Sequence, residues 1–452
     1  MSPTRLSAVD MINLAVETPS TPMAIGAVLL LDGDALPDAG GPRTLSAIRR
    51  AVESRLVAAP PLRQVIRPAG PLAGRPVWVD DPAFDLDRHV LRALAPPPGD
   101  EAALLRLAAR LMRGVLDRRY PLWRIWVVTG LAGGQVAVVV KLHHVLADGL
   151  AAIQLVLSTV GAVPADGPGA DRQWLPAPAP TWGELVADRA RGCLAALRRR
   201  PRRPSPARRD GLRTFAALRH AARLSLNAPV GPRRRLAVLR IDLAEAKRVA
   251  HRHGGKVNDV VLSLATGGVR SLLHARGEPV KGLSLHTTVA MSLRTPGQEA
   301  EGGNRAGGVV VRLPAGEADP RVRLTLVAAE SARAKRGQPP TAGNALLVWL
   351  ARLGLAGYLS RHQHMVHFVE SNIAGPPAPV QALGAPVLDV VPIGNLAGNL
   401  GVSFLALSYA GRLVITVQAD ADRFPDLPVL VAGIRREWAV LNAGSPGSAA
   451  AA

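Results

Sequence analysis

The segment Lys141-Leu142-His143-His144-Val145-Leu146-Ala147-Asp148-Gly149 joins a strand-like run to a helix-like run. Residues 135–140 read Gln-Val-Ala-Val-Val-Val, and β-branched residues of this kind favour a buried strand. Residues 150–157 carry apolar side chains at helical spacing. We therefore expect the two histidines where a strand ends and Asp148 about where a helix begins, since aspartate is a good N-cap. Gly149 lets the backbone turn there without a Cβ penalty.

The paired histidines suggest acid–base chemistry. Adjacent strand residues point to opposite sides, so one histidine can face a cavity while the other packs beneath it. An imidazole with a pKa near ~6.5 can take a proton from a hydroxyl and return it to a leaving group. Asp148 can order the loop through an ion pair without touching substrate, and Arg63 and Arg294 are both candidate partners. The alternative is a polar loop with a structural histidine.

Composition argues against a nucleic-acid-binding protein. The chain has 452 residues, enough for two domains of ordinary size. Its formal net charge is +21, and +14 of this lies between Val186 and Arg240, where 16 arginines oppose only Asp188 and Asp210. The preference for arginine over lysine, with abundant Ala, Gly and Pro, is typical of a GC-rich genome. Aromatic residues are scarce and are not interleaved with the arginines, which disfavours base stacking.

The sequence carries no signal for export or for membrane spanning. No run of about 18 uninterrupted apolar residues occurs, so a membrane-spanning helix is not expected. The N-terminal residues lack the apolar core and cleavage site of a secretory signal. Cys193 is the only cysteine, which excludes an internal disulfide framework and fits a reducing cytosol.

Other catalytic motifs are absent or weak. No Gly-x-Ser-x-Gly occurs and Cys193 is far in sequence from the histidines, so direct attack by a bound alcohol is favoured over a covalent acyl-enzyme. Gly254-Gly255-Lys256 lacks the following Ser or Thr of a phosphate-binding loop. His362, His364 and His367 have the spacing of metal ligands, but no Asp or Cys set accompanies them, so we expect no metal.

Each half of the chain mixes predicted strands and helices, which indicates an α/β protein. We place an N-terminal domain with the His-His motif at 1–180. A basic, Arg/Pro-rich interdomain linker with helices follows at 181–232. A second α/β domain covers 233–445, and 446–452 form a flexible tail. The linker is assigned from residues 198–209, which are too charged and proline-rich to pack a core.

The pattern His-His-x-x-x-Asp-Gly at 143–149 resembles the active-site motif of the CoA-dependent acyltransferase superfamily. That superfamily includes chloramphenicol acetyltransferase-like enzymes and peptide-synthetase condensation domains. Further segments narrow the resemblance to the bacterial wax ester synthase/diacylglycerol acyltransferase family. They occur in that family's order along the chain: 6–23, Pro121-Leu122-Trp123, 227–232, Asn258-Asp259-Val260-Val261-Leu262 and 371–376.

The resemblance implies two chloramphenicol acetyltransferase-like α/β domains, with mixed sheets flanked by helices and a tunnel between them. It implies transfer of a fatty acyl group from acyl-CoA to diacylglycerol or a long-chain alcohol, with no metal or redox cofactor. His144 takes the general-base role, within a catalytic motif that includes His143, Asp148 and Gly149. The residues that the resemblance places at the substrate site are Pro121, Trp123, Asn258, Asp259, Ser371 and Asn372.

Several of these positions have a simpler structural interpretation. Asn258 and Asp259 can cap the helix that follows them, and we weigh that interpretation equally with a place near the active centre. Pro121 and Trp123 fit core packing better than substrate contact.

Two departures from the family pattern leave the acceptor open. The usual Asn-Val-Pro-Gly-Pro is Asn-Ile-Ala-Gly-Pro at 372–376, and the usual Gly-Leu-Asn-Ile is Gly-Val-Ser-Phe at 401–404. One alternative is a related enzyme that acylates a polyketide or sugar hydroxyl. Another is a non-catalytic lipid-droplet coat protein. In the leading hypothesis the protein is cytoplasmic, on the inner membrane face or on lipid droplets, and the basic linker either binds an anionic surface or is simply solvated.

Overall fold

The structure, a computed structural model, describes residues 3–54, 56, 59–146, 174–198, 221–292, 306–337 and 354–443. Asp148, Gly149 and Arg294 lie outside the described residues, as do positions 199–220 of the basic linker. The predictions made for them therefore stay predictions.

Strands and helices alternate along the chain. The strands are β1 Ala24–Leu31, β2 Gln64–Arg67, β3 Val77–Asp80, β4 Val90–Leu94, β5 Trp123–Thr129, β6 Val136–His143, β7 Arg234–Asp242, β8 Leu285–Ser292, β9 Ala306–Leu313, β10 Phe368–Ala374, β11 Gln381–Ala382, β12 Ala385–Ile393, β13 Val402–Tyr409 and β14 Arg412–Asp420. The described α-helices are α1 Ala8–Val16, α2 Pro42–Glu53, α3 Glu101–Leu111, α4 Trp182–Arg198, α5 Leu243–Arg252, α6 Val257–Ala275, α7 Pro320–Gly337, α8 Ala356–His362 and α9 Leu427–Asn442.

The first sheet has the strand order β11-β12-β1-β6-β5-β4. All eight residues of β6 are buried, as its run of β-branched side chains predicts. β6 pairs antiparallel with β1 along its whole length and ends with His143 opposite Ala24. The sheet therefore delivers the His-His pair at the end of a fully buried strand, as the sequence predicts.

The second sheet has the order β7-β14-β13-β10-β8-β9 and is built from the C-terminal half. β10 runs parallel to both β8 and β13, and the other pairs are antiparallel. Helices α6 and α9 pack on each other, and their apolar residues share one core with this sheet. Two mixed sheets with flanking helices confirm the α/β class.

One part of the second half lies in the first sheet. Strand β12 pairs with β1, so that Val391 is opposite Val28 and Ile393 is opposite Gly26. The division of the chain at 180 and 233 assigned these residues to the C-terminal domain, and their pairing departs from that assignment. β1 has only β6 on its other side, so β12 supplies the hydrogen bonds that its second edge needs. An apolar run predicts a strand but does not specify its partner.

The two sheets meet along the face of β1 on which α3 packs. Leu104 and Leu107 of α3 form one apolar cluster with Val28 and Val139 of the first sheet, and Val414 of β14 belongs to the same cluster. This seam fixes the second sheet against the first. Among the helices that the structure describes, none is long and apolar enough to cross a bilayer.

Candidate active site

The backbone after β6 forms a tight turn that holds the histidines. The His143 N–H donates to the Leu122 carbonyl at 2.9 Å, and the His144 N–H donates to the Met23 carbonyl at 2.8 Å. The Leu146 N–H returns to the His143 carbonyl at 2.9 Å. His144 therefore sits just past the sheet, between the loop that leads into β1 and the segment that leads into β5.

His143 is locked inside the protein. Its side chain is 1% exposed, and its Nε2 lies 3.1 Å from a carboxylate oxygen of Glu17. Its Nδ1 accepts the N–H of Val145 at 3.1 Å, which puts the ring proton of the neutral imidazole on Nε2, the nitrogen that contacts Glu17. Both ring nitrogens are thus occupied by protein groups. His144 is only half-buried, so of the two histidines His143 is the one that packs beneath.

Glu17 is the residue of this site that the sequence did not identify. Burial raises its pKa, but hydrogen bonds and charge from His143 outweigh burial, with help from Arg118 and the Met23 N–H, and the pKa falls to about 2. The Arg118 guanidinium donates at 2.9 Å and the Met23 N–H at 3.0 Å. One sequence feature could have identified Glu17. It lies seven residues after Asp10, which is two helical turns, so the two carboxylates share one helix face.

Helix α1 runs past the histidines. Ser7 caps this helix, because Ser7 Oγ accepts the Asp10 N–H and the Asp10 carboxylate accepts the Ser7 N–H. Asp10 is 5% exposed. Burial raises its pKa, while the bonds to Ser7 and the charges of His144 and His143 oppose that rise. The Asp10 carboxyl is therefore within electrostatic reach of both imidazoles.

Pro121 and Trp123 lie beneath the site, in the core. Trp123 is 1% exposed, its indole N–H donates to the Leu62 carbonyl at 2.6 Å, and its ring stacks on His89 at 4.4 Å. Pro121 is also buried. The intervening Leu122 supplies the carbonyl that holds His143. These contacts are those of core packing.

Asn258, Asp259, Ser371 and Asn372 lie on elements of the second half. Asp259 caps α6, since its carboxylate accepts the Lys256 N–H at 2.8 Å. Ser371 and Asn372 are half-buried on β10. Among the described residues, no hydrogen bond or ion pair joins these four side chains to His143. Their substrate-binding role stays a prediction.

A buried carboxyl, Glu370, lies beside this group. Its side chain is fully buried and neither oxygen has a well-formed hydrogen bond. Burial raises its pKa to about 8, an effect that the nearby Asn258 amide and Lys335 charge only partly oppose and that the Asp259 charge reinforces. Glu370 is therefore mostly protonated at neutral pH.

Two of the three histidines with metal-like spacing, His362 and His367, make separate protein contacts. His362 Nδ1 lies 2.8 Å from the Tyr358 carbonyl within α8. His367 Nδ1 accepts the His286 N–H at 2.9 Å, and its Nε2 lies 3.0 Å from the Ala222 carbonyl. His367 thus uses both ring nitrogens to tie β8 to the segment before β7.

The site lies at the seam between the halves. The guanidinium of Arg234 on β7 donates to the Ser20 carbonyl at 2.6 Å, and the Asn395 amide lies 3.1 Å from the Met23 sulfur. Helix α1 also packs against α8 of the second half. The C-terminal half therefore holds residues 17–23 in place. This segment contains Glu17 and the Met23 carbonyl that accepts the His144 N–H.

Known proteins share both this sequence and this fold. Residues 6–261 match the wax ester synthase/diacylglycerol acyltransferase catalytic domain, and 302–441 match the C-terminal domain of the same family. A Mycobacterium tuberculosis protein named as a probable diacylglycerol O-acyltransferase is 33% identical over 435 residues, covering 91% of this chain and 89% of its own.

Two solved structures extend the comparison of the fold. The wax ester synthase/diacylglycerol acyltransferase from Marinobacter aquaeolei VT8 matches with a TM-score of 0.69 and 23% identity, over 97% of this chain and 98% of that one. The starter condensation domain of rhizomide synthetase, in complex with C8-CoA, matches with a TM-score of 0.61 and 14% identity, over 98% and 94%. The chloramphenicol acetyltransferase-like fold expected from the motif is confirmed. Together with the two family matches, these findings show that the chain is an acyltransferase and belongs to the wax ester synthase/diacylglycerol acyltransferase family.

Proposed function

We propose that this acyltransferase moves a long-chain fatty acyl group from acyl-CoA to diacylglycerol or a long-chain alcohol, with His144 as the general base. The observation that carries the proposal is the asymmetry of the histidine pair. His143 has both ring nitrogens engaged by Glu17 and Val145, whereas His144 is half-buried at the seam between the halves. The greater exposure of His144 supports it, rather than His143, as the imidazole that serves a substrate.

In the proposed reaction, the His144 imidazole takes the proton of the acceptor hydroxyl as its oxygen attacks the thioester carbon. A carbon–oxygen bond forms and the carbonyl electron pair moves onto oxygen. Collapse of this intermediate breaks the carbon–sulfur bond, and the imidazolium returns the proton to the departing CoA thiolate. His143 and Glu17 hold the strand end in position and exchange no proton with substrate. The cycle needs no metal or redox cofactor.

The names of the relatives support this choice of substrates. The mycobacterial relative is named as a diacylglycerol O-acyltransferase. The condensation domain that shares the fold was solved with an eight-carbon acyl-CoA. A fold that holds acyl-CoA, with a half-buried histidine at the interdomain seam, favours a CoA thioester as the donor.

The deciding experiment varies the acceptor. Purified protein is incubated with palmitoyl-CoA and, separately, diacylglycerol, hexadecanol, a short polar alcohol or water, and both CoA thiol and product lipid are measured. We expect release with the first two acceptors and little with the others. Release with the polar alcohol alone would favour an enzyme that acylates a polyketide or sugar hydroxyl. No release from folded protein that binds acyl-CoA would favour a droplet coat protein.

We further propose that the protein associates peripherally with anionic membrane or lipid-droplet surfaces. The support is the charge of the linker sequence, at roughly 1 kcal/mol per arginine near the headgroups. Flotation with liposomes should depend on phosphatidylglycerol, weaken with salt, and be lost when residues 198–209 are replaced by Gly and Ser. Salt-insensitive binding, or binding that survives the replacement, would contradict this proposal.

A further inference from the structure

Helix α1 buries a polar face. Its only fully buried residues are Asp10 and Asn13, at 5% and 8% exposure. A surface helix normally buries apolar side chains, because that burial is what stabilises its docking. Burying an amide without a partner costs free energy, so such a group in a native protein calls for an explanation. The Asn13 Nδ2 has no hydrogen-bond partner among the described residues.

The buried face of α1 is directed at the histidine pair. Asp10, Asn13 and the helix-ending Glu17 are spaced by three and four residues, so they lie within about 60° of one another around the axis. Glu17 contacts His143, and Asp10 lies within electrostatic reach of His144. These two anchors are only about 10 Å apart along the helix. Asn13 lies between them in sequence and on the same face of α1, so its unpartnered amide is on the side of the helix from which Glu17 contacts His143.

The turn that carries the histidines has no free backbone donor in its described part. The N–H groups of residues 143–146 donate to Leu122, to Met23, to the His143 ring and to the His143 carbonyl. The N–H groups of residues 143–146 are therefore not available to a thioester carbonyl that gains negative charge next to His144. In acyl transfer that charge is normally stabilised by pre-placed donors.

We propose that Asn13 is a catalytic residue whose Nδ2 donates to the thioester carbonyl oxygen and stabilises the oxyanion. As the acceptor oxygen bonds to the carbonyl carbon, the carbonyl π pair moves onto oxygen and is held by the Asn13 N–H. The pair returns when the carbon–sulfur bond breaks, so Asn13 itself gains and loses nothing. This inference rests on the proposed function, since it requires a thioester at His144.

The kinetic test replaces Asn13 by leucine, which has similar volume and no donor, and by aspartate, which keeps the shape. With palmitoyl-CoA and the acceptor found active, kcat should fall by about 10²–10³-fold in Asn13→Leu, with both KM values within about threefold. Asn13→Asp, assayed above pH 8, should show a loss at least as large. A kcat within threefold of wild type in either folded variant would overturn the proposal. So would a rise in acceptor KM at unchanged kcat, since the amide would then bind the acceptor.

Asn442→Leu is the matched control. Its amide lies 3.1 Å from Glu245 at the far end of α9, so the same substitution there should leave kcat unchanged. An equal loss of kcat in the control would show that the Asn13 effect is unspecific.

A spectroscopic test separates this inference from the proposed function. Palmitoyl-CoA labelled with ¹³C at the carbonyl is bound to His144→Ala, and the carbonyl stretch is read by infrared difference spectroscopy. A hydrogen bond lowers that frequency, and the lowering should disappear in the His144→Ala, Asn13→Leu double variant. A lowering that persists would overturn the role of Asn13. If the wild-type protein shows no turnover but the carbonyl frequency is still lowered, only the proposed function is overturned. Failure to bind acyl-CoA would overturn both the proposed function and the role of Asn13.

Discussion

Glu17 and Glu370 are both buried glutamates, and their pKa values move in opposite directions. The Glu17 side chain is 3% exposed and has a pKa of about 2. Glu370 is fully buried and has a pKa of about 8. Glu17 receives donors from His143, Arg118 and the Met23 N–H, whereas Glu370 has only weak help from Asn258 and Lys335.

The difference shows that partners, rather than burial alone, decide the charge of a buried carboxyl. A charged Glu17 can orient an imidazole, since it keeps the ring proton of His143 on Nε2. A neutral Glu370 exerts no such field and acts as a packed polar group at the start of α6. The comparison therefore predicts that variants near Glu17 change turnover and that a variant at Glu370 changes stability.

The largest expected effect is that of His144→Ala. Loss of His144, the proposed general base, should lower turnover by about 10²–10⁴-fold with the fold intact. CoA thiol release gives the rate, and circular dichroism with a thermal melt confirms folding. Near-normal turnover in the folded variant would refute the assigned mechanism.

Glu17→Gln should have a smaller effect on turnover. The neutral amide is a weaker acceptor than the carboxylate for the groups that Glu17 holds, so the turn that bears His144 should shift and kcat should fall by about 10–100-fold. Glu370→Gln, the matched control of identical chemistry, should leave kcat unchanged. Equal losses in the two variants would remove the functional distinction between the two sites.

The pH dependence of stability provides a second readout for Glu17. Its folded pKa is depressed from 4.5 to about 2, so its stabilisation is present above pH 4.5 and is lost as pH falls toward 2. The stability deficit of Glu17→Gln relative to wild type should therefore shrink over that window. Urea unfolding midpoints of both proteins between pH 5 and pH 2.5 measure this stability deficit. A deficit that stays constant over that range would contradict the pairing of Glu17 with its donors.

Glu370→Gln should have the smallest effect, with the opposite pH dependence. The folded state keeps a proton that the unfolded chain releases between pH 4.5 and about 8, so this group lowers stability as pH rises through that window. Glutamine removes the titration. The variant should match wild type near pH 5 and be more stable by about 1–3 kcal/mol at pH 8.5. Urea midpoints that differ equally at both pH values would show that Glu370 does not titrate there.

Local features of this chain were predictable from sequence because they depend on nearby residues. Ser7 caps α1 through a backbone group three residues away. Strand β6, which the β-branched run predicts, ends at His143 as expected. The position of β12 was not predictable, because an apolar run predicts a strand but does not specify the sheet that the strand joins. Glu17 was missed for a related reason, since a glutamate at a helix end is ordinarily solvated.

The sequence by itself determined the α/β class, most strands and helices, and the place of the histidine pair at a strand end. These follow from periodicity, turn residues and caps, all of which act over a few residues. Only the tertiary structure decided that Glu17 pairs with His143, that β12 crosses into the first sheet, and that Glu370 is left without a strong partner. Each of these depends on which distant side chains packing brings within about 4 Å, and on how much water packing removes around them.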